Sequence, residues 1–197
     1  MRGLPIHGAM AAASRLEGAA GAIRAAPWAE ASVLVLLGAA AAFLTLNVDL
    51  DLRVPGHAIL RCVLPLSLGL ALVPRSGAGT VMGSAALAAL LVQGIDKGAP
   101  GWGSATSLVL AGPALDLAAR SARSGRGVYL ALILGGTAAN LAAFAVRLGA
   151  KVLAPGGNRP LASWWPEAIL TYTLCGVAAG ALSAAVWFRF RSPGDAR

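Results

Sequence analysis

Six apolar stretches succeed one another along this chain with only short joints between them, at roughly 31–48, 57–74, 78–95, 103–119, 128–150 and 167–188. A helix rises 1.5 Å per residue, so crossing the ~30 Å hydrocarbon core of a bilayer takes about 20 residues, and each stretch is near that length. Charge separates this reading from a soluble one. Only 12% of the residues are charged, against roughly 25% in an ordinary soluble domain. Most of the surface must therefore lie out of water. The sequence predicts an all-α fold, an integral membrane bundle of about six transmembrane helices. The 25 glycines and the low aromatic content fit helices whose backbones approach closely.

The joints differ in kind. The second and third stretches are separated only by Pro74, Arg75, Ser76 and Gly77, a tight turn. The fourth opens with Gly103, Ser104, Thr106 and Ser107 and is interrupted at Gly112–Pro113, so a re-entrant segment is the alternative there. Residues 1–28 read as a cytoplasmic extension, either disordered or a short amphipathic helix carrying Arg15, Glu17 and Arg24. They hold no apolar core long enough for a cleaved signal peptide. Residues 29–191 form the six-span domain, and 192–197 a short polar tail.

The net charge of +8 invites a nucleic-acid reading, but the basic residues fall in clusters between apolar stretches, as in a membrane protein oriented by its loops. With the N-terminus inside, the inner side holds Arg2, Arg15, Arg24, Arg75, Arg120, Arg123, Arg126, Arg189, Arg191 and Arg197. The outer side holds Arg53, Lys97, Lys151 and Arg159, while Arg61 and Arg147 lie within spans. This excess predicts a multi-pass protein of the cell inner membrane with both termini cytoplasmic. Cys62 and Cys175 lie inside apolar stretches and read as small buried hydrophobes.

Polar residues at membrane depth are costly, which makes each one a functional candidate. The segment Asn47-Val-Asp-Leu-Asp-Leu-Arg-Val-Pro-Gly-His57, followed by Arg61, joins the first two stretches on the predicted outer face. Asp49 and Asp51 alternate with leucines, and Pro55–Gly56 turns the chain to deliver His57 at the mouth of the second helix. Asn47, Asp49, Asp51, Arg53, His57 and Arg61 together offer donors, acceptors and one metal-ligand type to an external solute. The alternative is a solvated hairpin. A second group, Trp164, Trp165 and Glu167, lies between the fifth and sixth stretches on the same face, and Trp102 between the third and fourth. These aromatics serve either as interfacial anchors or as walls of a binding cavity. Asn140, alone in an apolar run, either bonds to another helix or lines that cavity. Asp116 and Arg120, four residues apart, pair along one helix face as an interface ion pair or a docking contact. Four-residue spacings of small residues occur at Gly38/Ala42, Gly79/Gly83 and Gly176/Gly180.

Zinc-protease, phosphate-loop and nucleophile-elbow motifs are absent from the sequence, so no catalytic residue and no cofactor is assigned. One outer histidine is too few for a metal site, which takes three or four ligands.

The six-span layout, together with Val54-Pro-Gly-His-Ala-Ile59, Gly79-Thr-Val-Met-Gly83 and Gly112-Pro-Ala-Leu-Asp116, resembles the substrate-capture (S) components of energy-coupling factor transporters. The resemblance implies a non-enzymatic membrane subunit that catches a vitamin-like or other small solute through its outer loops. A transmembrane coupling subunit and ATPase subunits would drive its release inward. It further implies that Gly38 and Ala42 of the first span face the coupling subunit; the docking reading of Asp116 and Arg120 rests on their spacing alone. The metal-importing members begin Met-His, whereas this chain begins Met1-Arg2-Gly3, which argues against a nickel or cobalt solute. Two other readings stand beside it. One is a structural or assembly subunit that binds proteins or lipid only; the other is an intramembrane enzyme acting on lipid through Asp49, Asp51 and His57.

Overall fold

The structure, a computed structural model, describes residues 26–48, 54–97, 102–121, 125–153 and 161–190, with the side chains of 94–97, 102–103, 125–126, 153 and 161–164 left aside. Among the described residues the fold is entirely helical. The six helices are α1 Pro27–Asn47, α2 Ala58–Leu72, α3 Ala78–Lys97, α4 Trp102–Ser121, α5 Gly125–Leu153 and α6 Leu161–Phe190. Three carry segments long and apolar enough to cross a membrane: Pro27–Asn47, Gly127–Val152 and Trp165–Phe190. Ala58–Leu72 and Ala78–Gln93 are shorter apolar helices.

The helix bounds follow from local chemistry. Helix α1 starts at Pro27, a few residues before the apolar stretch, because proline fits a first helical position whose N–H would be unpaired in any case. The four residues Val73–Ser76 and Gly77, with Gly77 at φ +90°, reverse the chain between α2 and α3. Helix α4 is continuous through Gly112–Pro113. Pro113 has no N–H to offer the carbonyl of Val109, and Gly83 of α3 packs against that oxygen instead. A Cβ at Gly83 would stand 2.7 Å from it. Helix α6 begins at Leu161, so Trp164, Trp165 and Glu167 belong to its first turns and not to a loop. Trp102 likewise is the first residue of α4.

Helix α2 is the centre of the bundle, flanked by α1 and α6 and backed by α3 and α4. Ile59, Cys62, Val63 and Leu66 on it are fully buried, meeting Met82, Leu90, Leu108 and Leu115 in one core. Close backbone approach makes this packing feasible. Gly79 and Gly112 face one another so closely that a methyl on either would collide with the carbonyl of the other. Gly136, Gly176 and Gly180 bring α5 against α6 in the same way. Gly38 lies against the backbone carbonyl of Met82, and Ala42 is fully buried. The small face of α1 is thus covered by α3 of this same chain, and a partner subunit would have to meet other residues of α1.

The outward surface is apolar. Leu36, Phe43, Val92, Leu134, Leu170 and Leu174 are each more than half exposed. So much exposed hydrocarbon is unfavourable in water but costs nothing against lipid tails.

Candidate functional site

The two ends of the bundle hold different chemistry. At the end formed by the start of α1, the α2–α3 turn and the end of α4, charges are matched. The Asp116 carboxylate, 3% exposed, accepts from Arg120 Nε at 3.0 Å and from Arg120 Nη2, and also takes the backbone N–H of Gly77 at 3.0 Å. Arg120 Nη1 continues to the Ser76 hydroxyl at 2.7 Å. Arg75 of the same turn donates to Glu30 of α1. The Gly77–Asp116 and Arg120–Ser76 hydrogen bonds fasten the turn to α4, and the Arg75–Glu30 ion pair fastens it to α1. Asp116 and Arg120 are the interface pair expected from their spacing, and Glu30 is a partner that the sequence reading passed over.

At the opposite end Arg61 meets a backbone carbonyl and an imidazole. Arg61 donates through Nη1 to the Thr45 carbonyl at 2.9 Å, joining α2 to the last turn of α1. Its Nη2 meets His57 Nε2. His57 Nδ1 lies 2.6 Å from the Val54 carbonyl, which can only accept, so Nδ1 carries the hydrogen. A guanidinium can only donate, so Nε2 must present its lone pair. The two contacts fix the orientation of the imidazole ring. Asn47 Nδ2 donates to the Phe43 carbonyl at 2.9 Å and remains exposed at the end of α1. Asp49, Asp51 and Arg53 lie outside the described residues, as do the side chains of Trp102 and Trp164. Trp165 and Glu167 are exposed on α6.

The turn that carries His57 is drawn into the bundle. Gly56 is buried with φ +88°, a conformation that a glycine adopts without the clash a Cβ brings. A side chain there would also strike the Tyr172 ring at 2.8 Å. Asn140, fully buried in the middle of α5, donates from Nδ2 to the Gly56 carbonyl at 3.1 Å and to the Tyr172 carbonyl at 2.7 Å, while its Oδ1 accepts from Ser107 of α4 at 3.4 Å. One amide thus links α4, α5, α6 and the α1–α2 turn. Beyond it, Phe144 and Tyr172 pack ring against ring at 5.4 Å, and Arg147 Nη1 donates to the Tyr172 hydroxyl at 3.3 Å.

The structure therefore gathers His57, Arg61, Asn140, Arg147 and Tyr172 around one buried turn. Tyr172 and Ser107 carried no signal in the sequence that marked them as neighbours of this turn, whereas Pro55–Gly56 was already read as the turn that delivers His57. Tyr172 is an aromatic in an aromatic-poor apolar run, and only its tertiary neighbours give it a polar task. Among the described residues no group of three or more His, Cys, Asp or Glu side chains stands ready for a metal ion.

The fold and this surface define an all-helical membrane protein. No protein-family model, curated protein or solved structure matches the chain.

Proposed function

We propose that this chain is a multi-pass protein of the cell inner membrane, with six crossing helices and cytoplasmic termini. In this reading it serves as the solute-binding subunit of a multi-subunit ATP-driven importer for a vitamin-like or other small solute. It has no catalytic activity of its own, and a coupling subunit and ATPase subunits complete the machine. The observation that carries this reading is the depth of the Gly56 turn. Non-helical backbone at membrane depth is tolerated where protein surrounds it or where it borders a water-filled cavity. Here the turn is anchored to Asn140 at the midpoint of α5, and α2 behind it has only 15 residues, about 22 Å at 1.5 Å per residue. That is short of the ~30 Å core. In this reading a solute is met from outside where His57 and Arg61 border the lowered turn of the shortened central helix.

Uptake by cells producing the His57→Ala and Arg61→Ala variants tests the assignment. Loss of uptake with unchanged amounts of protein in the membrane is expected, and undiminished uptake in both would remove the site. A second reading, a non-catalytic structural subunit of a larger membrane complex, draws support from Asn140, whose amide hydrogens are both taken within the chain. Co-purification separates the two: ATPase subunits accompany an importer, and other complex subunits accompany a scaffold.

A further inference from the structure

At the end of the bundle that carries the α2–α3 turn, cations face outward while their counter-charges are buried. Glu30 and Asp116 have side chains only 10% and 4% exposed, whereas those of Arg75 and Arg120 are 65% and 45% exposed. Pairing cancels the formal charge, but burial decides which sign the surroundings meet. Glu30 engages Arg75 through Nη1, one nitrogen of a donor fork that has three.

Arg189 adds a third cation at this end. Gly56 lies against Tyr172, and Ser67 bonds to Ser183; both pairs are the same 116 positions apart, so α2 and α6 run parallel in one register. That register sets the exposed Arg189 level with Val73, where the turn carrying Arg75 begins. Among the described residues Glu30 and Asp116 are the only acids at this end, while the opposite end exposes both signs, in Glu167 and Lys151.

The partner must be apolar as well as anionic. Leu174, Ala178, Leu182, Ala185 and Arg189 follow at helical spacing along α6, and all are exposed. They form a hydrocarbon stripe that ends in a guanidinium. Trp28 of α1 and Tyr129 of α5 are exposed at the same end, rings that suit the depth of lipid headgroups. A free anion would leave the stripe unused, and a choline headgroup would bring its own cation to the arginines. We propose that this end binds anionic phospholipid, with headgroup phosphate on Arg75 and Arg189 and an acyl chain along the α6 stripe. The assignment needs the bilayer and is independent of the solute-binding reading.

The full chain, purified in detergent, is offered equal amounts of phosphatidylglycerol and phosphatidylcholine of one acyl composition. After washing, the retained lipid is measured by mass spectrometry. Phosphatidylglycerol should be enriched, and the enrichment should fall roughly fivefold for each arginine removed, in Arg189→Gln and again in Arg75→Gln/Arg189→Gln. Arg189→Gln breaks no contact among the described residues, so it carries the test even if the double variant fails to fold, which size-exclusion profiles report. Lys151→Gln removes the same charge at the opposite end and should keep the full enrichment. Equal retention of the two lipids, undiminished enrichment in Arg189→Gln, or an equal loss in Lys151→Gln would overturn the assignment. Displacement of the retained phosphatidylglycerol by inorganic phosphate at equal concentration would show a site for the free anion and overturn it as well.

Discussion

Asn140 reaches 84 positions back along the chain to donate to the carbonyl of Gly56 at 3.1 Å. That bond decides how deep the α1–α2 turn sits, and with it where His57 and Arg61 are presented. It replaces the water that a loop carbonyl would otherwise bind, which is why a buried turn at this depth is tolerated.

Replacing Asn140 with leucine keeps the volume and removes both donors. The Gly56 carbonyl is then buried without a partner, at a cost of about 1–3 kcal/mol. Thermal unfolding in detergent should fall accordingly, and amide hydrogen exchange at residues 54–60 should rise more than in α3. Unaltered exchange there would show that the turn is held by something other than this side chain.

The glycines predict opposite signs at two positions. Gly79→Ala forces a methyl into the Gly112 backbone, where no side-chain motion relieves it, and should cost about 1–3 kcal/mol as overpacking does. Gly149→Ala, in α5 with nothing within 4 Å of its added methyl, should stabilise by roughly 0.4–1 kcal/mol through the lost freedom of the unfolded chain. Melting curves of the two variants under one detergent condition are a direct comparison.

The Asp116–Arg120 pair should not survive exchange of its members. A simple ion pair regains part of its energy when the charges are swapped. Here Asp116 also accepts the Gly77 N–H, and Arg120 also reaches Ser76. The double variant Asp116→Arg/Arg120→Asp should therefore be no more stable than Asp116→Asn alone. A double-mutant cycle on unfolding temperature measures this, and recovery of stability would reduce the network to a surface pair.

Glu30 and Arg75 differ in burial, with side chains 10% and 65% exposed respectively. Arg75→Ala strands a mostly buried carboxylate, whereas Glu30→Gln keeps an acceptor and leaves the arginine largely in solvent. The first variant should be less stable than the second by on the order of 1 kcal/mol. Chemical unfolding of both variants side by side decides the order.

Much of the scaffold was legible in the residues. The six apolar stretches correspond to the six helices, and the joint at Pro74–Gly77 is the tight turn expected of it. The Asp116–Arg120 contact follows from four-residue spacing on one helix. The errors were at the helix ends: α6 starts at Leu161 because tryptophans and a proline near a helix start do not stop it, so Trp164, Trp165 and Glu167 sit on helix. The site was read less well. His57 and Arg61 were marked by charge near an apolar run, but Tyr172 looked like core, and Gly38 and Ala42 looked free for a partner although α3 lies against Gly38 and Ala42 is fully buried.

Hydrophobic length and sparse charge, both properties of neighbouring residues, determined that this chain forms apolar helices of membrane dimensions and roughly where they begin and end. Tertiary structure alone decided which carbonyl Asn140 meets, which side of α1 is covered and which hydroxyl Arg147 reaches. Tertiary contacts of this kind join residues far apart in sequence, 84 positions for Asn140 and Gly56 and 116 for Ser67 and Ser183. No local periodicity encodes such a pairing; it emerges only when close-packed helices fix the distance between their side chains.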